Sequence, residues 1–289
     1  MAYNEEENIR LLLDSVLVQN LSCCAICDIV VVSSGSTDKT EEIIEDLSRK
    51  DTRIRLIVQP ERLGKASAIN LFLKNVKKKI CVLVNSDSIL DANAVEFLVK
   101  PFGNSDVGMT GGRPIPFYYS NRFMNHITSL MWNLHHNISL RAPKMGELIA
   151  FRKDIVQKII ENTVVDEVCI EWQIKNSGYK TIYVPESRLY IRTPDTIKDF
   201  ILQRRRIATG HIWAEQILKY APATRNIQLS LQTTFKQLSQ NPGAIFFILA
   251  AILLEYFSRI LGWYDYYIRR RNPYIWKICL STKSKLVHF

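Results

Sequence analysis

The stretch Ile80-Cys-Val-Leu-Val-Asn-Ser-Asp-Ser88 decides the fold. Its run of apolar residues reads as a strand buried on both faces, the habit of a strand inside an open α/β sheet. Such a sheet meets its ligands beyond the carboxyl ends of its strands, which puts Asp87 where a metal would be held. An aspartate after a strand also serves as a turn residue or helix cap, so the flanking sequence has to decide.

Upstream, Gly64-Lys65 opens a helix through Ala68, Ile69 and Phe72, preceded by a strand over Ile54 to Val58. Before that come a helix with Ile43, Ile44 and Leu47 on one face, the turn Ser33-Ser-Gly-Ser-Thr-Asp38 and a strand over Asp28 to Val32. Asn4 and Glu7 have the spacing of a capping box, and Ile9, Leu12, Leu13, Val16 and Leu17 continue it as one apolar helix face. Downstream, Ala92 to Val99 reads as a short helix. This alternation predicts a doubly wound, mostly parallel sheet with Ile80 to Val84 at its centre. A helix at residue 4 should follow a strand of its own; either another segment replaces that strand or the chain is truncated.

The chain has 289 residues, 47% of them apolar and 23% charged, enough for one full domain and a smaller second element. A formal charge of +10 favours anionic partners: phosphates, acidic lipid or nucleic acid. The basic residues are spread over helices and the terminal segment without an RNA-binding signature, so nucleic acid is not an expected partner. Six cysteines, at 23, 24, 27, 81, 169 and 279, read as buried free thiols of a reducing compartment. Cys24-Ala-Ile-Cys27 lacks a second pair at ligand spacing and is not read as a metal site. Met1 is followed by Asn4-Glu-Glu-Glu7, which does not read as a cleavable signal peptide.

After Gly111-Gly-Arg-Pro-Ile-Pro116 the chain mixes Phe117, Tyr118, Tyr119, Phe123, Met124, Leu130, Met131 and Trp132 with His126, His135 and His136. A core helix and a helix on a membrane surface both fit this pattern. Residues 243–262 are long and apolar enough to cross a bilayer, with Glu255 and Arg259 at i, i+4 spacing. Trp263, Tyr264, Tyr266, Tyr267 and Trp276 resemble an interfacial aromatic belt, and Arg269-Arg-Arg271 a headgroup-binding cluster. One crossing would place those arginines outside, against the positive-inside tendency, unless a second weak segment through Tyr274 to Leu280 returns the chain. Membrane attachment is therefore expected, with the topology open.

Ala2-Tyr-Asn-Glu-Glu-Glu7, Ile29-Val-Val-Val-Ser-Ser-Gly-Ser-Thr-Asp38, Gly64-Lys-Ala-Ser-Ala-Ile-Asn70, Asn85-Ser-Asp87, Val165-Asp-Glu167 and Gln203-Arg-Arg-Arg206 follow one another along residues 2–210. In this order they resemble the family 2 glycosyltransferases of the GT-A fold. The resemblance implies inverting transfer of a sugar from a nucleoside diphosphate. That chemistry asks for a cation on the diphosphate, a base for the acceptor hydroxyl and positive charge for the leaving group.

The resemblance makes Asp87 the last residue of the DxD element and a ligand of Mg²⁺ or Mn²⁺, with Asn85 a neutral replacement for its first acid. It gives Glu167 the place of the catalytic base and Asp166 that of its neighbour, though either carboxylate also suits a helix N-terminus. Gln203, Arg205 and Arg206 match the element that faces the leaving group and acceptor; Ile207 replaces its tryptophan, with His211 or Trp213 as substitutes further along. Asn4, Glu5, Ser34, Asp38, Lys65, Ser86 and Asp87 would meet the donor, although Asp38 also suits a helix cap, and Ser33 and Ser34 stand where the family commonly carries acids. Glu147 and Arg152 are weaker candidates on the acceptor side, and Asn70 is read as a loop support.

The expected architecture is a GT-A domain over 1–218 and a membrane-associated helical region over 219–289, with the catalytic domain on the cytoplasmic face. The expected partners are a nucleotide sugar, a lipid-linked or saccharide acceptor and the membrane. The competing expectation is an inactive, membrane-tethered nucleotide-sugar-binding protein.

Overall fold

The structure, a computed structural model, describes residues 1–117, 122–275 and 283. Tyr118, Tyr119, Trp276 and Cys279 lie outside the described residues, as does most of the segment from Tyr274 to Leu280. The first half runs α1 (Ile9–Leu17), β1 (Ile29–Ser34), α2 (Thr40–Lys50), β2 (Ile54–Gln59), α3 (Lys65–Asn75), β3 (Ile80–Val84), β4 (Ser88–Leu90) and α4 (Ala94–Val99). The second continues with β5 (Val107–Pro116), α5 (Arg122–Ser139), β6 (Leu148–Arg152), α6 (Asp166–Asn176), β7 (Lys180–Ile191), α7 (Ile197–Ile217), α8 (Ile227–Gln240) and α9 (Ile245–Tyr267).

The α/β class holds, but the expected central parallel strand does not. Five strands pair in the order β3-β6-β5-β7-β4, so β3 lies at an edge, while β1 and β2 form a separate parallel pair. Only β5 and β7 run parallel in the larger sheet; β6 opposes both β3 and β5, and β4 opposes β7. The register gives the reason. After α5 the chain re-enters the sheet beside the carboxyl end of β3, with Leu148 opposite Val84, so β6 must run backwards. That reversal places Glu147 next to Asn85.

Residues 1–2 connect the two sheets. The Ala2 amide donates to the Val32 carbonyl at 2.9 Å, the Ser34 amide donates to Ala2 at 3.0 Å, and the Ser86 hydroxyl donates to the Met1 carbonyl at 2.9 Å. The capping box expected from Asn4 and Glu7 is not formed. Asn4 takes φ +51° and turns its side chain to the amide and hydroxyl of Thr37, while the Glu5 carbonyl accepts from Asn8 and Ile9 where the helix begins. A side-chain cap is therefore spent on tying residue 4 to the turn after β1.

Val32, Ile69, Met109, Phe151, Val168 and Ile170 form the core between the sheets, α3 and α6. Burying a side chain such as Phe151 contributes about 1.5–3 kcal/mol each. The cysteines only half follow expectation: Cys81 and Cys169 are buried free thiols, whereas Cys23 and Cys27 are exposed, because the segment between α1 and β1 runs over the surface.

Helix α7 starts at a side-chain cap, the Thr196 hydroxyl accepting from the Asp199 amide at 3.1 Å. Gly210 of α7 lies so close to the segment entering α6 that a Cβ there would sit 2.9 Å from side-chain carbons of Val164 and Val165. On its other side α7 meets α9: a Cβ on Gly262 would lie 2.7 Å from that of Ala208. Phe247, Ala250, Ala251 and Leu254 of α9 pack with Met124, Ile127 and Phe200. The helix containing His126, His135 and His136 is thus half core, with Met124 and Ile127 buried. Beyond α9 the chain returns to the domain: Asn272 donates to the Asn162 carbonyl at 2.7 Å, and Lys283 donates to the Tyr3 carbonyl at 2.9 Å and pairs with Glu5.

Candidate active site

The carboxyl end of β3, the start of β6 and the first turns of α3 and α6 close around one small cavity lined by Lys65, Asn85, Glu147 and Asp166. Each arrives there for a local reason. Gly64 takes φ +91°, a backbone that favours glycine, and so turns the chain abruptly into α3 with Lys65 at its first position. Asp166 and Glu167 fill the first turn of α6, where carboxylates gain from the helix dipole.

Asp166 accepts an ion pair from Lys65 at 3.0 Å, and Glu167 faces Lys144 at 3.6 Å. Asn85 donates its side-chain amide to the Glu147 carboxylate. Burial works against the charge on Lys65, but Asp166, Glu147 and Glu167 together outweigh it and raise its pKa. Burial likewise pushes Glu167 above the usual carboxylate range, with Asp166 adding to it and Lys144 and Lys65 opposing. Glu147 is pushed up to about 7 by burial, then by Asp87 and Glu167, against Lys65 and Lys144. Glu5 reaches about 7 through burial and the nearby Asp87, against Lys283. Carboxylates thus outnumber lysines here, an excess that suits a bound cation.

The remaining candidates divide. Ser86 is buried on Met1, and Glu5 is buried with its amide on the Thr40 hydroxyl at 2.7 Å. Asp38 does the helix-start work: its carboxylate accepts from the Thr40 amide at 3.0 Å and the Glu6 amide at 3.1 Å. Ser34 belongs to β1, not to a turn, and its hydroxyl donates to Gln59 at 2.8 Å. Asn70 supports the loop as expected, exchanging two hydrogen bonds with the Ile159 backbone. Arg152 is turned away, donating to the Val107 and Phe102 carbonyls.

Arg205 is the clearest correction. Its guanidinium grips both oxygens of Asp265 on α9 at 2.5 Å, and Arg204 grips Glu255, which also holds Arg259. Sequence spacing showed arginines on a helix but not the acids 51 and 60 residues away that claim them. His211 is buried and held well below its ordinary pKa by that burial, and Trp213 packs against the core. Lys144 was missed altogether; its one legible sign is a lysine three residues ahead of Glu147 at the entry of an apolar strand.

The family model for glycosyl transferase family 2 matches residues 1–159, more than half of the chain. The chain belongs to glycosyl transferase family 2. Poly-beta-1,6-N-acetyl-D-glucosamine synthase of Staphylococcus aureus strain COL is 23% identical over 224 residues, covering 72% of this chain and 52% of that protein. Its Staphylococcus epidermidis counterpart is 22% identical over 220 residues with the same coverage, so the chain spans about half the length of these curated relatives. Among solved structures, a Pyrobaculum calidifontis mannosyltransferase in complex with GDP-Man and Mn²⁺ superimposes with a TM-score of 0.65 at 18% identity, over 93% of this chain and 86% of that one. GalNAc-T7 with UDP, GalNAc and Mn²⁺ gives 0.51 at 14% identity, over 82% and 55%. These likenesses establish the GT-A fold. The family match covers Lys65, Asp87 and Glu147; Asp166 and Glu167 lie just beyond it.

Proposed function

We propose that this family 2 domain transfers a sugar, with inversion, from a nucleoside-diphosphate sugar to a lipid-linked or membrane-proximal acceptor, assisted by Mg²⁺ or Mn²⁺. The observation that carries the reading is the convergence of Lys65, Glu147, Asp166 and Glu167 beyond the end of β3, where Asn85-Ser-Asp87 follows. The oxygen donors present suit a hard cation: Asp87 would hold it, with Glu147, across from the neutral Asn85, as the second acid. Such an ion would neutralise charge building on the departing diphosphate.

Glu167 is the base. Lys144 holds its carboxylate in place, and its raised pKa makes it a better proton acceptor for a sugar hydroxyl than an ordinary glutamate. Lys65 pairs with Asp166 beside it and adds positive charge to the donor end of the cavity. With Arg205 committed to α9, the leaving-group role falls to Gln203 and Arg206, which share a face of α7. Attachment to the cytoplasmic face of a membrane is supported by the apolar α9 and the Arg269-Arg-Arg271 cluster.

A panel of UDP-, GDP- and dTDP-sugars, assayed with membranes carrying the chain, tests the proposal. One donor should turn over in a metal-dependent manner, and Asp87→Ala and Glu167→Gln should each remove about 100-fold or more of that turnover without unfolding the protein. Metal-dependent donor binding with no turnover in any acceptor-containing membrane would favour the inactive binding protein instead.

A further inference from the structure

We infer that α9 lies in the plane of an anionic bilayer, with its outer face in the lipid and both its ends on the side of the catalytic domain. This rests on the membrane reading above and replaces a crossing with a surface. By length and composition residues 242–267 suffice to span, so the distinction has to come from packing.

Three observations carry it. First, one stripe of α9, from Phe247 through Leu254, Glu255 and Gly262 to Asp265, packs on α5 and α7. At 1.5 Å per residue that stripe covers roughly 27 Å, nearly the whole helix. Sending it across a bilayer would drag Arg204, Arg205 and the helices beneath into hydrocarbon.

Second, the opposite stripe of Leu249, Leu253, Tyr256, Ile260, Trp263 and Tyr267 follows helical spacing, and every one of these residues is exposed. A helix packed on protein along one side and bare and apolar along the other can lay that bare side into the headgroup boundary, with its aromatic residues near the polar layer.

Third, the chain after α9 comes back: Asn272 bonds to Asn162, and Lys283 to Tyr3. A single crossing would leave these partners on opposite sides of the membrane. The in-plane position also removes the conflict over Arg269, Arg270 and Arg271, which are exposed at the end of α9 and stay on the domain's side. Charge selects lipid as the occupant. A second copy would oppose one +10 chain with another, whereas anionic headgroups complement it.

The test uses the full chain with Cys23, Cys24, Cys27 and Cys279 replaced by serine, carrying either Asn241→Cys or Arg270→Cys. It is bound from outside to sealed phosphatidylcholine vesicles with or without phosphatidylglycerol. The chain should float with the anionic vesicles, and a membrane-impermeant maleimide should reach both cysteines without detergent. Leu253→Glu with Trp263→Glu should weaken flotation about 10-fold or more while the unfolding midpoint of the domain holds, since neither side chain is buried. Labelling of residue 270 only after detergent would establish a crossing and overturn the inference. So would failure to float on either vesicle with a dimer in solution, which would make the face a contact between copies. Nucleotide-sugar turnover, measured in parallel on the same vesicles, reports separately on the transferase reading.

Discussion

If Arg205 fastens α7 to α9, replacing it should cost stability and leave chemistry nearly intact. Arg205 and Asp265 are joined by two hydrogen bonds at 2.5 Å, with 27% and 11% of their side chains exposed. Two unit charges about 4 Å apart at an effective dielectric near 20 attract by about 4 kcal/mol before desolvation is counted. Exposed pairs retain about 0–1 kcal/mol, while breaking a fully buried pair costs about 3–5 kcal/mol. For this half-covered pair the coupling should be about 2 kcal/mol. Urea unfolding of the wild type, Arg205→Met, Asp265→Asn and the double variant closes the cycle, the double losing little more than either single change. Below the unfolding transition, Arg205→Met should keep turnover within about 3-fold of wild type. A coupling under about 0.5 kcal/mol, together with a 100-fold loss of turnover in Arg205→Met alone, would return this arginine to the leaving group and refute the structural role.

Lys144→Met should lower the apparent pKa of neither ligand nor metal binding but should raise that of the base, shifting the acidic limb of the turnover profile to higher pH; an unmoved limb would separate Lys144 from Glu167. Glu5 keeps its proton in the folded chain up to about pH 7, whereas an ordinary glutamate releases it near 4.5, so its contribution to stability is complete below about 4.5 and declines as pH rises to about 7. Glu5→Gln should therefore flatten that decline by up to about 3 kcal/mol in chemical denaturation at pH 8 against pH 5, and identical profiles for the two proteins would contradict the assignment. Gly210→Val should destabilise by about 1–3 kcal/mol through overpacking on Val164 and Val165 and should depress turnover further by displacing α6, which paired unfolding and kinetic measurements will show. An unchanged midpoint in that variant would mean the contact yields freely.

The alternation of apolar runs was enough to find the strands and helices of the first half, and the pair Asp166-Glu167 announced itself by falling where a helix begins. What the pattern did not contain was direction. An apolar run reads the same whether its strand enters the sheet from one end or the other, so the reversal of β6, and with it the meeting of Glu147 and Asn85, had no local sign. Arg205 failed for a related cause: a side chain's partner 60 residues away is decided by helix packing, which residue spacing within α7 cannot express. Asn4 shows a third kind of miss. Its capping spacing was real, but a stronger long-range use of the same amide, on Thr37, took precedence over the local one.

Gly262 and Gly210 mark two places where backbone meets a neighbour with no methyl between to cushion it. In series they join α9 to α7, and α7 to the segment that enters α6 ahead of Glu167. On the proposed in-plane placement of α9 and the proposed role of Glu167, this route would carry a shift of the helix to the carboxylate, so turnover would depend on the bilayer in which the chain is assayed.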